Sequence, residues 1–393
     1  LMSWTPNVPY DACRHRGRPM PGSSRGRWTC PPRASRALTA RVAISSPNPN
    51  TRGGVLIEDF ETAKIENPRL RMTYNSWHMS SVPKDFNGSS DLFNLEDAGD
   101  LYWFDPYHVS YTTYGFYEED VYGEIEGRSD QHRKLPVDVI SAVFEPSGAN
   151  IFERRQSWRS FVQVVSQTGI LGMDEREVLQ VYIATGRDQG KLIIDFGQVD
   201  EDQVRFDKSG QPVGVNQLDT EDRNYDGRLD IGEDTGLDGV AGLDITNVEG
   251  DDGNDDFYRA GEGNVRSIDV KRLNNTEGNN QGQIGDNFDT EDLNRNSALD
   301  RNEKVYRVRL DLESLEIIPP PGTYIPADNR NVIKDHVPYI PGQGRNRDQN
   351  IHELGQDDWY LLEIPLPREG TPFEDLYEKV NSPSLSKILH VRL

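Results

Sequence analysis

Cysteine is almost missing from this chain: Cys13 and Cys30 are the only two, and both lie in the first 52 residues. The rest of the chain must hold together without disulfides, and cysteine usage says nothing firm about redox compartment. No apolar run reaches the length of a membrane-crossing helix. The N-terminus likewise lacks the apolar centre of a secretory signal. Histidine is sparse as well: the seven, at 15, 78, 108, 132, 336, 352 and 390, never fall at i, i+4, so no helical zinc motif exists. There is no nucleophile-elbow GxSxG and no phosphate-cradling GxxxxGK[ST]. Carboxylates are so many that no single pair stands out as an acid and its base. No catalytic constellation is specified, and the chain reads as a non-enzyme.

Acid is abundant, and it is unevenly placed. The net charge is −23, yet residues 1–52 carry nine Arg, no Lys and one acid, a charge of +8. Residues 219–303 hold 23 acids against 8 bases, a charge of −15. Such a balance argues against nucleic-acid binding and for cations or an exposed, salty setting. Hydrophobic residues make up 34%, and 35 Gly with 24 Pro point to many turns.

The acidic segment opens with DTEDRNYDGRLDIGE (Asp219 to Glu233) and closes with DTEDLNRNSALDRNE (Asp289 to Glu303), two copies 70 residues apart. Each carries side-chain oxygens at the spacing of a twelve-residue calcium loop. In the first, Asp222, Asn224, Asp226, Asp230 and Glu233 occupy positions 1, 3, 5, 9 and 12. Gly227 takes the turn at position 6, and Arg228 offers its carbonyl at position 7. The second places Asp292, Asn294, Asn296, Asp300 and Glu303 at the same positions, with the Ala298 carbonyl at position 7 and Ser297 in place of Gly. Fewer carboxylates make it the weaker site. Asp, Asn and Gly at such spacing also describe ordinary solvated turns. The repeat, with Leu229 and Leu299 both at position 8, favours Ca2+. Neither loop is flanked by an amphipathic helix. These read as structural loops with affinity on the order of 10⁻⁴ to 10⁻³ M, not as a sensor.

β-signals surround this segment. VLIEDFE (Val55 to Glu61) and VDVISAVFEP (Val137 to Pro146) are strand candidates. VLQVYIAT and KLIIDFGQV (Val178 to Val199) suggest a hairpin across GRDQG, in a sheet facing WYLLEIPL (Trp359 to Leu366). KVYRVRLDL (Lys304 to Leu312) alternates, FEDLYEKV (Phe373 to Val380) is a short helix candidate, and Leu385 to Leu393 is a last strand. The expected fold is mainly β, an antiparallel jelly-roll-like sandwich with long loops and an acidic calcium-loop insertion. Four parts are expected. Residues 1–52 form a disordered or non-native basic segment, and 53–218 the first part of the sandwich. Residues 219–303 form the insertion with two EF-hand- or dockerin-like loops, and 304–393 a second part truncated at its C-terminus. Without metal, proteolysis is expected first between Gly236 and Gly285. A chain that starts at Leu1 and stops in a strand-like run is read as a fragment.

Several segments resemble the SprA (Sov) family of outer-membrane proteins of gliding motility and type IX secretion. They are IEDFE near Val55, the Trp-containing loop ending at Pro83, KLIIDFGQVDED (Lys191 to Asp202), the DTEDRNYDGRLDIGEDTGLDG run, WYLLEIPL, and the closing YEKVNSPSLSKILHVRL. The likeness runs in order over residues 53–393. It implies an outer-membrane or cell-surface location. The partners it implies are other secretion and motility machinery and secreted substrates. Membrane attachment would lie in parts of the protein outside this fragment, which would be a soluble cap or insertion region. The alternative is a secreted carbohydrate-binding jelly-roll module with dockerin-like calcium loops, using the aromatic run Leu101 to Tyr117 as a sugar platform.

Overall fold

The computed structural model describes residues 2–5, 70–73, 76–104, 116–123, 136–166, 176–184, 190–203, 205–206, 212–230, 233, 288–338 and 358–393. Its strands are β1 (Met2–Thr5), β2 (His78–Met79), β3 (Asp100–Phe104), β4 (Phe116–Tyr117), β5 (Pro136–Val137), β6 (Ser141–Glu145), β7 (Phe161–Val164), β8 (Val178–Ala184), β9 (Lys191–Gln198), β10 (Arg205–Phe206), β11 (Pro212–Val213), β12 (Lys304–Asp311), β13 (Ile317–Ile318), β14 (Ile333–Val337), β15 (Trp359–Pro365), β16 (Glu378–Lys379) and β17 (His390–Arg392). The α-helices among the described residues are short: α1 (Glu118–Tyr122) and α2 (Ile151–Arg154). None is long and apolar enough to cross a membrane.

Two sheets dominate, and their strand pairs are antiparallel. One runs β1-β8-β15-β14. The other runs β13-β12-β9-β17-β7-β2, with β16 also on β12. Leu179, Val181, Leu362 and Ile364 of the first share one apolar cluster with Ile194, Phe196, Val308, Leu310 and Val391 of the second. Apolar faces of two twisted sheets closing on each other make a sandwich-like layer pair. The fold is therefore mainly β and antiparallel, with no closed barrel among the described residues.

The larger sheet is buried on both faces, which changes how its strands read. In β12, Tyr306, Val308 and Leu310 enter the shared core. Val305 and Arg307 point the other way and are just as buried. The polar-looking positions are therefore a second interior.

β8 and β9 do not form the expected hairpin. β8 pairs with β15, Val178↔Pro365 through Ala184↔Trp359, while β9 pairs with β12 and β17 in the opposite sheet. Both strands carry large apolar side chains, Leu179 and Val181 against Ile194 and Phe196. Facing them across the core buries both sets, which in-plane pairing would not do. WYLLEIPL accordingly lies beside VLQVYIA, not across from it. FEDLYEKV forms a 3₁₀ turn (Glu374–Leu376) running into β16, because the extended backbone lets Glu378 and Lys379 pair with Arg307 and Tyr306 of β12 while Leu376, Tyr377 and Val380 stay buried. The final strand is confined to His390–Arg392. Met2–Thr5, within the segment read as a basic tail, lies along the β8 edge. VLIEDFE and the stretch from Gly236 to Gly285 lie outside the described residues.

β9 and β12 pair along their whole length, Lys191↔Asp311 to Gln198↔Lys304. The acidic segment thus leaves and rejoins at one end of a single strand pair. There Gly197 (φ +152°) is obligatory, since a Cβ would sit 2.1 Å from the Lys304 carbonyl oxygen.

Candidate functional site

The two acidic loops adopt the same conformation position by position. The carboxylate at position 1 accepts the N–H groups of positions 5 and 6. Asp222 takes them from Asp226 (3.0 Å) and Gly227 (2.7 Å), and Asp292 from Asn296 (3.0 Å) and Ser297 (2.6 Å). Position 5 accepts the position 7 N–H, Asp226 from Arg228 and Asn296 from Ala298. The position 3 amide donates to the position 9 carboxylate, Asn224 to Asp230 (3.3 Å) and Asn294 to Asp300 (2.7 Å). Left-handed residues recur too: Tyr225 (φ 57°) and Arg295 (56°) at position 4, Gly227 (83°) and Ser297 (61°) at position 6. The chain therefore winds around the first carboxylate as the sequence spacing requires, and links positions 1, 3, 5, 7 and 9.

Position 12 separates the copies. In the first loop the Glu233 carboxylate accepts the Asp230 N–H at 2.9 Å. In the second, the equivalent Asp300 N–H goes at 3.0 Å to Glu201, a residue just past β9 that sequence spacing does not single out. Glu201 also accepts from the Asn294 amide, and its own N–H donates to the Asp300 carbonyl.

Glu303 turns into the buried face of the larger sheet. Its carboxylate accepts from the Lys84 backbone N–H (2.9 Å), from Arg392 (2.8 and 2.9 Å) and from Arg307 (3.3 Å). Both guanidiniums also bond Asp195: Arg307 at 2.8 and 2.9 Å, Arg392 through Nε at 3.0 Å. Arg307, Arg392, Asp195 and Glu303 are all essentially inaccessible to water. Burial pushes the Asp195 carboxyl up, but Arg307 and Arg392 outweigh it and hold it below the usual range. The residues are legible as IIDFG, VYRVRL and HVRL, charges isolated inside strand-like runs. Their alternation resembles a solvated face, which hid the cluster.

The loops also lean on each other. Thr220 and Thr290 form an antiparallel bridge. Loop 2 sits on the sheet through Leu293, packed with Val162, Val199, Val305 and Val380. Loop 1 projects outward: among its described residues Asn224, Asp226, Arg228 and Asp230 are exposed, and Asp222 and Leu229 are buried. Arg301 bridges Asp200 (3.1 Å) and Asp202 (2.8 Å) beside the pair.

Two glutamates here are costly to ionise. Burial, and then repulsion from Asp292 and Asp300, raises Glu201 to about 7 despite two helpful hydrogen bonds. Burial, with Asp219 and Asp202 nearby, raises Glu291 to about 8. A divalent cation beside Glu201 would offset its penalty, and the donor set of carboxylate, amide and carbonyl oxygens suits a hard ion. Among the described residues, however, no three His, Cys, Asp or Glu side chains are drawn together as a closed metal cage. The loops present the right atoms in the right order, with carboxylates still turned to backbone N–H groups.

The aromatic run is split. Trp103 is buried and stacked on Phe161 (5.3 Å), Leu101 is buried, and residues 105–115 lie outside the described residues. Comparison with protein-family models and with curated proteins gave no match, so the chemistry of this site is argued from its own residues.

Proposed function

We propose that this chain is a non-enzymatic, calcium-stabilised cap or insertion region of a large cell-surface or outer-membrane protein of the SprA (Sov) kind. It would act with secretion and motility machinery and secreted substrates, and its membrane attachment would lie elsewhere in the protein. The observation that carries the calcium half is the conformation that the two loops share from position 1 to position 9, which ordinary solvated turns 70 residues apart have no reason to share. The surface location rests on the ordered resemblance over residues 53–393.

Loop 1 would hold the ion through Asp222, Asn224, Asp226, the Arg228 carbonyl, Asp230 and Glu233. Loop 2 would use Asp292, Asn294, Asn296, the Ala298 carbonyl and Asp300, with Glu201 in the place that spacing gives to Glu303. Calcium supplies charge neutralisation and a fixed hub for both loops; it has no reaction to promote.

Thermal unfolding in chelator and in about 10 mM calcium tests this. Sites with dissociation constants on the order of 10⁻⁴ to 10⁻³ M would add about 1.4–2.7 kcal/mol each. Glu233→Gln and Glu201→Gln should each remove part of that gain. No stabilisation at millimolar calcium overturns the metal reading. In cells that make the full protein, surface proteolysis and membrane fractionation test location, and a purely cytosolic signal overturns it.

A further inference from the structure

We propose that the two loops bind metal as one coupled pair, with Glu221 and Glu291 as the coupling residues; this rests on the calcium reading above. Neither glutamate occupies a ligand position. Each immediately precedes the first ligand of its own loop, Asp222 or Asp292. Each nevertheless reaches across to the other copy. Glu221 accepts the Asp289 N–H at 2.7 Å, and Glu291 accepts the Asp219 N–H at 2.8 Å. Their own N–H groups cross in the same way, Glu221 to the Asp289 carbonyl and Glu291 to the Asp219 carbonyl, both at 3.1 Å.

Both glutamates are 0% exposed. A carboxylate withdrawn from water depends on the donors it finds inside, so moving either DTED segment strips a donor from the other. Glu291 adds a second tie, accepting the Gln203 N–H at 3.0 Å just past β9. Metal held at Asp292 fixes Asp289 to Asp292 in space. That fixes the cap on Glu221, and with it the backbone leading into Asp222. By thermodynamic reciprocity, metal in loop 1 must steady loop 2 to the same degree. Half-filled molecules are thereby disfavoured.

Tyr225, 58% exposed at position 4, makes loop 1 separately readable. Terbium bound there is sensitised by that ring, and loss of the emission in Tyr225→Phe identifies it. In the full chain, Asp300→Ala damages loop 2 only, and coupling predicts that terbium affinity at loop 1 falls about tenfold. With Glu221→Ala and Glu291→Ala together, the same Asp300→Ala change should move loop 1 by less than about twofold. An unchanged loop 1 in Asp300→Ala overturns the coupling. A tenfold effect that survives the alanine pair overturns the role of the glutamates. Should the alanine pair fail to fold by circular dichroism, the Glu221→Gln/Glu291→Gln pair takes its place. It keeps side-chain volume and an acceptor oxygen, so the Asp300→Ala effect should stay near full size there and fall only in the single Glu221→Ala chain, where an effect still at full size overturns the glutamates' role. Absence of any Tyr225-dependent emission in the unaltered chain overturns the calcium reading itself.

Discussion

Glu303 has two competing claims on its carboxylate, and magnitudes decide between them. Turning it to a metal would leave Arg307 and Arg392, 0% and 1% exposed, with Asp195 as the only fully buried carboxylate bonded to both. Breaking a buried ion pair by removing one partner costs about 3–5 kcal/mol. A calcium loop of the extracellular kind returns about 1.4–2.7 kcal/mol at about 10 mM ion. The arginines win, and loop 2 is left to Glu201. Arg392→Met should therefore lower stability by about 3–5 kcal/mol in chelator, measured by urea unfolding, with loss of under about 1 kcal/mol refuting the cluster's importance. Position 6 gives a finer test. Gly227 (φ +83°) has nothing within 4 Å of a would-be Cβ, so Gly227→Ala should cost about 1 kcal/mol through backbone conformation alone. Ser297 (φ 61°) carries that strain already, and Ser297→Gly should relieve about as much. Equal stability of the two variants and the parent would refute it.

Among the elements, the pair β9 and β12 frames everything that happens at the site. Their eight-residue register closes the segment between them like a clasp, while the loops hang on it through Leu293, Glu201 and Arg301. Hydrogen exchange should therefore separate two layers. In chelator, amides of Asp226, Gly227, Asn296 and Ser297 should exchange faster than in calcium, while Ile194, Phe196 and Val308 stay equally protected in both. Uniform loosening would mean that the loops are part of the core's own cooperative unit. Composition and β-branched density were enough to read the strands β8, β9, β12 and β15 and the loop register. Their partners were not legible, because adjacency along the chain favours a hairpin, and only the two-sided burial of Ile194 and Phe196 against Leu179 and Val181 sends β8 and β9 to different sheets. Glu201 was illegible for a related reason. It stands 91 residues before Asp292, and only the β9–β12 pairing carries it back to loop 2.

At the scale of the whole molecule, Glu201, Glu291, His78 and His390 give stability in chelator a defined dependence on pH. Glu201 and Glu291 hold protons up to about 7 and about 8, against 4.5 for an ordinary glutamate. Between those values the folded state binds more protons than the unfolded, so their contribution makes stability fall as pH rises. His78 and His390 are pushed down to about 4 from 6.5, the first by burial and Arg295, the second by burial and Arg392. Between 4 and 6.5 the unfolded state binds their protons and the folded state does not, so their contribution makes stability rise with pH. From about 4.5 to 6.5 the two opposing pairs offset each other. Above 6.5 the two glutamates still titrate while the two histidines do not, and their contribution should lower stability up to about pH 8. Below about 4.5 the histidines, joined by Asp195 losing its charge between two arginines, should drive unfolding. A flat region near pH 4.5–6.5 with losses on either side is the expected urea-midpoint profile. Glu201→Gln/Glu291→Gln should flatten the alkaline side alone, since a neutral amide has no proton to lose. Calcium should flatten only the Glu201 share of that decline in the unaltered chain, by lowering the proton affinity of Glu201 and replacing repulsion from Asp292 and Asp300 with a shared ion. An alkaline decline that persists unchanged in both the glutamine pair and saturating calcium would place its origin outside these loops.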